Sequence, residues 1–115
     1  MILIIESIAK DGKLPHDISW SHGRRFIEFM IAEQCQAFNQ ENGYEDIEDG
    51  YESFEENLEV LLMLFENFKE VPPFTLQRIC ELIIEGKKFY KRTHHYMFAL
   101  EKCLNISMGY EFKEN

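Results

Sequence analysis

The sequence has few cysteines and lacks the paired spacing that disulfide frameworks and zinc sites need. Cys35, Cys80 and Cys103 are widely separated, and no CxxC motif occurs. Each cysteine falls in a partly apolar stretch with helical periodicity. An odd number of isolated cysteines in such stretches indicates reduced thiols, as in a cytosolic or nuclear protein.

Long apolar runs are also missing. No stretch approaches the roughly 20 residues that a membrane-spanning helix needs. The first ten residues, MILIIESIAK, are too short and too acidic for a secretory signal peptide. The sequence therefore predicts neither a membrane span nor secretion.

Basic residues are scarce, with 12 Lys and Arg against 21 Asp and Glu, so the net charge is -9. This balance argues against nucleic acid and anionic lipid as partners, because both need cations on the protein. Eight of the acidic residues lie within positions 41–56 with no basic residue among them. Because like charges repel, and Gly43 and Gly50 interrupt helices, we expect a mobile acidic linker over about residues 40–52.

Apolar residues are plentiful enough for one all-α domain built as a compact bundle of about five helices. Hydrophobic residues make up 45% of the chain, and ten of the aromatics are Phe. Apolar positions recur at intervals of three and four, and no segment alternates with the period of two that a strand requires. Helices are predicted at about residues 2–10, 20–39, from 54 up to the Pro72–Pro73 stop, 74–85 and 94–105.

Several residues mark the predicted helix ends. Ser19 suits an N-cap, and Ser53 with Glu56 fits a capping box. Gly86 suits the end of the fourth helix, and Thr93 suits the cap of the fifth.

A calcium site is the first candidate for chemistry, and its pattern fails. Residues 45–56 have Gly at the sixth place and Glu at the twelfth, as in an EF-hand loop. However, Ile47 at the third place offers no oxygen, and Glu45 at the first place is long for a tight loop. A solvated acidic loop explains these residues better.

Other catalytic and metal patterns are equally weak. His94, His95 and Cys103 offer ligand atoms, but adjacent helical residues point about 100° apart and cannot readily share one metal. The sequence has no GxSxG motif and no Gly-rich phosphate loop. We therefore predict no catalytic residue, no metal site and no cofactor.

A basic segment at residues 87–92 stands out on an acidic chain. Lys87, Lys88, Lys91 and Arg92 surround Phe89-Tyr90. One interpretation is a solvated turn whose cations favour the C-terminal end of the preceding helix. The other is a docking patch for an acidic partner surface, which would steer encounter and fix the register of binding.

One ten-residue run resembles a known family. P-F-T-L-Q-R-I-C-E-L, residues 73–82, is similar to the P-F-T-[IL]-Q-R-[LI]-C-E-L stretch of the regulatory subunit 2 family of serine/threonine protein phosphatase 4. Residues 90–93 resemble its Y-x-x-T element, residues 100–102 its [LV]-E-K element, and residues 18–21 its W-S element. The resemblance spans about residues 3–112.

The resemblance implies a non-catalytic, all-helical subunit in the nucleus and cytoplasm. In that family the helical region binds the phosphatase 4 catalytic subunit and joins a trimer with regulatory subunit 3, which acts on nuclear proteins including DNA-damage substrates. The metals and the chemistry belong to the catalytic subunit. Family members also carry a long acidic C-terminal extension, so functions of that extension, such as contacts with subunit 3, are not carried over to residues 1–115.

Two regions are predicted to contact the partner, because aromatic and arginine residues dominate interface energies. They comprise Trp20, Arg24 and Arg25 at the start of the second helix, and Arg78, Lys87, Lys88, Tyr90, Lys91 and Arg92. Trp20 also fits a packing role. The alternative functions are a helical protein–protein adaptor unrelated to phosphatases, and a small helical enzyme, which would need a polar pocket with convergent titratable groups.

Overall fold

Five α-helices make up the part of the chain that the structure describes. The structure is a computed structural model, and it describes the backbone of residues 2–43 and 53–114 and the side chains of residues 3–43 and 53–108. The helices are α1 (Ile2–Asp11), α2 (Trp20–Asn42), α3 (Phe54–Glu66), α4 (Leu76–Phe89) and α5 (Thr93–Glu114). No strand occurs in these ranges, and the predicted all-α fold is confirmed.

The predicted N-caps of α2 and α3 are confirmed. The Ser53 hydroxyl accepts from the Glu56 amide at 3.2 Å, and the Glu56 carboxylate accepts from the Ser53 amide at 2.9 Å. The Ser19 hydroxyl accepts from the His22 amide at 3.3 Å. Each bond satisfies an amide that has no partner within the helix, so local sequence alone defines these starts.

All five helices contribute to one apolar core. α1 packs against α4, α3 packs against α5, and α2 contacts α3, α4 and α5. The core side chains follow the three-and-four spacing of the sequence, and the largest fully buried ones include Ile5, Ile27, Ile31, Phe38, Leu61, Phe65, Ile79, Leu82, Tyr96 and Leu100.

α2 ends three residues later than the sequence predicted. It continues through Asn42 and ends at Gly43, whose φ of 74° favours glycine and whose amide donates to the Asn39 carbonyl at 2.8 Å. Residues 40–42 are therefore helical. The rest of the predicted acidic linker lies outside the described residues.

The prediction that α4 ends at Gly86 is wrong. Glu85 has non-helical backbone angles (φ -121°, ψ 18°), and the helix continues past this kink to Phe89. Lys87 and Lys88 therefore belong to the last turn of α4, and the basic segment is not a single turn.

α5 is also longer than predicted and begins at Thr93. The Thr93 hydroxyl donates to the Gly43 carbonyl at 2.8 Å, so this side chain links the start of α5 to the end of α2. Thr93 was predicted to cap this helix, but it is the first helical residue of α5. Its hydroxyl bonds to a residue 50 positions away in sequence and not to an amide of its own helix.

Candidate protein-docking groove

An open groove of about 450 Å³ runs along the surface between α4 and α5. Leu82 of α4 and Ala99 and Cys103 of α5 form its apolar floor. Phe98 and Ile106 stand beside the floor with 57% and 46% of their surfaces exposed. Exposed apolar side chains grouped around a concavity are typical of interaction sites.

Arg78, which lines the groove, meets Phe89 from another part of α4. The Arg78 guanidinium lies 5.3 Å from the centroid of the Phe89 ring, which is 54% exposed. On a straight helix, residues eleven apart would be separated by about 16 Å along the axis. The non-helical backbone at Glu85 changes the path of the last turn and allows the two side chains to meet.

The charges around the groove are positive, although the chain is acidic. Arg78 and Lys102 line it, and no Asp or Glu is among its lining residues. Arg78 pairs with Glu81 at 3.3 Å, whereas Lys102 has no carboxylate within ion-pairing distance in the described part of the chain. The groove therefore combines an apolar floor with a cationic rim.

The positive charge of the rim affects the thiol of Cys103 in the floor of the groove. Burial raises the pKa of its thiol, and the nearby Arg78 and Lys102 act in the opposite direction because they favour the thiolate. Both cations thus reach the interior of the groove electrostatically.

Thr75, within the ten-residue run at 73–82, anchors α5 to the start of α4. Its hydroxyl donates to the Cys103 carbonyl at 3.0 Å and lies 2.8 Å from the Ser107 hydroxyl. Thr75 occupies the N-cap position of α4 without a side-chain cap bond, because its hydroxyl is used for α5.

Gln77 of the same run holds α1. Its side-chain amide donates to the Ala9 carbonyl at 3.0 Å and to the Lys10 carbonyl at 3.4 Å, which satisfies acceptors at the end of that helix. Four other members of the run are buried in the core: Leu76, Ile79, Cys80 and Leu82. The run thus builds the fold, and its exposed residues are Phe74, Gln77 and Arg78.

At the start of α2, two of the predicted contact residues hold α2 to the α3 region. The Trp20 indole donates to the Phe68 carbonyl at 2.6 Å and meets the Phe65 ring edge-on at 6.2 Å. Arg24 pairs with Glu66 at 2.9 Å. Arg25 is exposed. A role in partner binding stays a prediction for all three residues.

The residues of the basic segment at 87–92 lie in different surroundings. Lys87 pairs with Glu41 of α2 at 2.8 Å, and Lys88 pairs with Glu85 at 3.0 Å. Tyr90 lines the groove, while Lys91 and Arg92 are exposed between α4 and α5. Of the predicted contact residues, the structure therefore brings Arg78 and Tyr90 together in the groove and places Lys87 beside α2.

Of the residues that line the groove, only Arg78 and Tyr90 were predicted as contacts, and those that sequence reasoning missed include Phe98, Lys102 and Ile106 of α5. Phe98 and Ile106 are large apolar residues outside the inward-facing set of that helix. Large apolar residues on a second face of α5 were the feature of the sequence that could have indicated the groove.

The described residues contain neither a cluster of metal ligands nor a helix that could span a membrane. Among the side chains of residues 3–43 and 53–108, no three of His, Cys, Asp or Glu converge as metal ligands would. Helices of that part of the chain are too short or too polar to cross a bilayer. The EF-hand-like residues 45–56 lie mostly outside the described residues.

An all-helical domain with an open, apolar, positively rimmed groove is typical of proteins that act by binding other proteins. Comparison with known proteins gives the family. The model of the PPP4R2 family matches residues 4–111, and the chain belongs to this family. The resemblance seen in the sequence is confirmed.

The relatives carry the name serine/threonine-protein phosphatase 4 regulatory subunit 2. The zebrafish protein (Danio rerio), form 2-A, is 28% identical over 106 residues, and the human protein is 27% identical over 103 residues. These matches cover 89% and 86% of this chain but 24% of each relative. The Dictyostelium discoideum protein is 50% identical over 44 residues, covering 36% of this chain and 15% of that relative.

The relatives are named as regulatory and not as catalytic subunits, in agreement with the prediction of a non-catalytic chain. The chain spans about a quarter of the length of these relatives or less. No solved structure matches it.

Proposed function

We propose that this chain is a regulatory subunit that binds the catalytic subunit of protein phosphatase 4 and helps direct serine/threonine dephosphorylation. One observation carries the proposal. The PPP4R2 family model matches residues 4–111, nearly the whole chain, and the relatives it resembles are named as regulatory subunits of phosphatase 4. The metals and the reaction belong to the partner.

The groove supplies the kind of contact that the proposal needs. Phe98 and Ile106 are large apolar side chains exposed in the lining of the groove, and Arg78, which also lines it, is held against the exposed Phe89 ring. Aromatic and arginine side chains near the centre of an interface carry most of its binding energy. A partner that covers this groove removes apolar surface from water without disturbing the core.

Direct binding to the purified phosphatase 4 catalytic subunit tests the proposal. We expect a stable complex on size-exclusion chromatography and a saturable signal in calorimetry. The catalytic subunit of a different serine/threonine phosphatase serves as the specificity control. A well-folded chain that leaves the phosphatase 4 subunit unbound, while another protein is recovered with it, would favour the unrelated adaptor function.

Charge reversal then tests the basic segment. Lys91 and Arg92 are exposed and directly follow Tyr90, which lines the groove, whereas Lys87 lies beside Glu41 of α2. We expect Lys91→Glu with Arg92→Glu to slow association more than reversal of Lys87 and Lys88, most strongly at low salt. Recovery that is unchanged by all four reversals would reject the docking patch and leave the family assignment intact.

We also propose that regulatory subunit 3 joins this complex and that the chain works in the nucleus and cytoplasm, including on DNA-damage substrates. Family membership supports the proposal about subunit 3, and the three free cysteines suit the reducing environment of the nucleus and cytoplasm. Adding purified subunit 3 to the binary complex tests the first. Microscopy of a tagged chain tests the second, and an exclusively secreted chain would contradict it.

A further inference from the structure

The α4–α5 groove has room for a bulky apolar side chain. Its volume of about 450 Å³ lies over the buried Leu82, with Phe98 and Ile106 exposed beside it. A side chain seated there would contact the apolar atoms of these residues. The floor of the groove therefore favours an occupant that carries a large apolar side chain.

The rim defines the charge of the occupant. Arg78 and Lys102 line the groove and no Asp or Glu is among its lining residues, on a chain whose net charge is -9; the carboxylate nearest to Arg78 that the structure pairs with it is Glu81, at 3.3 Å. Arg78 is held in place by Glu81 and by the Phe89 ring, so its planar donors are ordered before binding. An ordered guanidinium favours a carboxylate, which it can bind through two parallel hydrogen bonds.

Other acidic occupants fit less well. Two copies of the chain, each at -9, repel one another at long range, and a nucleic acid meets the same repulsion. A segment that carries only a few acidic residues is attracted to the rim without that overall penalty.

We propose that the groove binds an acidic segment of the phosphatase catalytic subunit, with one large apolar side chain on the floor and a carboxylate on Arg78 and Lys102. This inference rests on the proposed function, because it assumes that the catalytic subunit is the partner and specifies the chemistry of the segment that enters the groove.

Cys103 provides a direct measure of occupancy. It lies in the floor and is half-buried, whereas Cys35 and Cys80 are fully buried. A maleimide should therefore label Cys103 in the folded chain, and mass spectrometry of its peptide gives the rate. With the catalytic subunit at ten times Kd, labelling should slow about tenfold, because about one groove in ten is then empty.

Matched variants separate the groove from the rest of the surface. Phe98 and Phe29 are both 57% exposed, and only Phe98 lines the groove. We expect Phe98→Asp to weaken binding by roughly tenfold or more, as for an interface anchor. Phe29→Asp should bind as the unchanged chain does. Circular dichroism and thermal melting verify that both variants fold.

A second pair of variants tests the charge. Arg78→Glu with Lys102→Glu should weaken binding and flatten its dependence on salt, whereas Lys10→Glu with Lys13→Glu, two exposed residues that do not line the groove, should retain both the affinity and the salt slope.

The outcomes are distinct. Binding with Cys103 unprotected, or binding unchanged by Phe98→Asp, overturns this inference and leaves the proposed function standing. Absence of binding by the unchanged chain overturns both. Protection that rises with the concentration of the chain alone identifies a second copy as the occupant, and protection by heparin identifies a polyanion site; either result overturns the inference.

Discussion

The ring of Tyr96 in α5 lies directly on Gly86 of α4, so that a Cβ at position 86 would overlap the ring. Tyr96 is fully buried, its hydroxyl donates to the Leu82 carbonyl at 2.9 Å, and its ring stacks on Phe38 at 4.1 Å. The ring therefore cannot move aside without breaking other contacts. This close approach fixes the spacing of α4 and α5, and with it the width of the groove.

Gly86→Ala should destabilise the protein. In an open helix this change would add roughly 0.5–1 kcal/mol of stability. Here the methyl group is forced into the Tyr96 ring, and overpacking of this kind costs about 1–3 kcal/mol. Urea denaturation followed by circular dichroism measures the net loss.

Gly23→Ala is the matched control, since Gly23 is also buried within a helix. Its added Cβ would meet the end of the flexible Leu14 side chain, which can move. We expect a much smaller change in the free energy of unfolding. Equal losses for the two variants would contradict the role assigned to Tyr96.

Thr75→Val should loosen α5 from the start of α4. The change keeps the shape of the side chain and removes the hydroxyl that bonds to the Cys103 carbonyl and the Ser107 hydroxyl. Ser107 is 1% exposed, so its hydroxyl loses a partner in a site with little access to water. We expect a loss of about 1–3 kcal/mol in the free energy of unfolding.

Thr75→Ser keeps the hydroxyl and should recover most of that stability. Hydrogen exchange adds a local measurement, because in Thr75→Val the amides of α5 near Cys103 should exchange faster than those of α3. Equal stability of the Val and Ser variants would show that the hydroxyl contacts contribute little.

Helix starts and buried helix faces could be predicted from the sequence, because their signals lie close together along the chain. The Ser53–Glu56 capping box and the three-and-four spacing gave the starts and the buried faces, because both depend on residues within one or two turns. Gly86 was misread as a helix end because its role depends on Tyr96, ten residues away on another helix. The groove was missed for the same reason, since Phe98 and Arg78 come together only when α4 and α5 pack.

Trp20→Phe tests whether the start of α2 serves the fold or the partner. Phenylalanine preserves an aromatic ring beside Phe65 and removes the indole bond to the Phe68 carbonyl. We expect stability to fall by about 1 kcal/mol, as for one lost hydrogen bond. Affinity for the catalytic subunit, measured by calorimetry, should not change; a weakened complex with unchanged stability would place Trp20 in the interface.

Alkaline pH should destabilise the protein, because its buried thiol and phenol groups ionise less readily in the folded chain than in the unfolded chain. Burial raises the pKa of Cys35 and of Cys80 to about 12 from 9.0, and Glu81 adds to the effect at Cys80. Burial also raises the pKa of Tyr96. Between pH 9 and 12 the unfolded chain has lost thiol protons that the native chain keeps, so stability is complete below about pH 9 and falls above it. Each thiol contributes up to about 1.4 kcal/mol per pH unit.

Cys80→Ala removes one of these protons, and the fall in stability above pH 9 should become shallower by up to about 1.4 kcal/mol per unit. Denaturant midpoints measured from pH 7 to 10.5 give the slope. Identical slopes for the variant and the unchanged chain would mean that the Cys80 thiol ionises equally in both states.

Arg78→Gln should raise the pKa of Cys103 further. Burial already raises it, and the guanidinium opposes that rise because a nearby cation stabilises the thiolate. The rate of Cys103 alkylation against pH reports the pKa, since the thiolate is the reactive form. Arg25→Gln, on the exposed surface of α2, should leave the curve where it is. A Cys103 curve that ignores the loss of Arg78 would mean that this cation does not reach the floor of the groove, and the attraction proposed for an acidic segment would then rest on Lys102 alone.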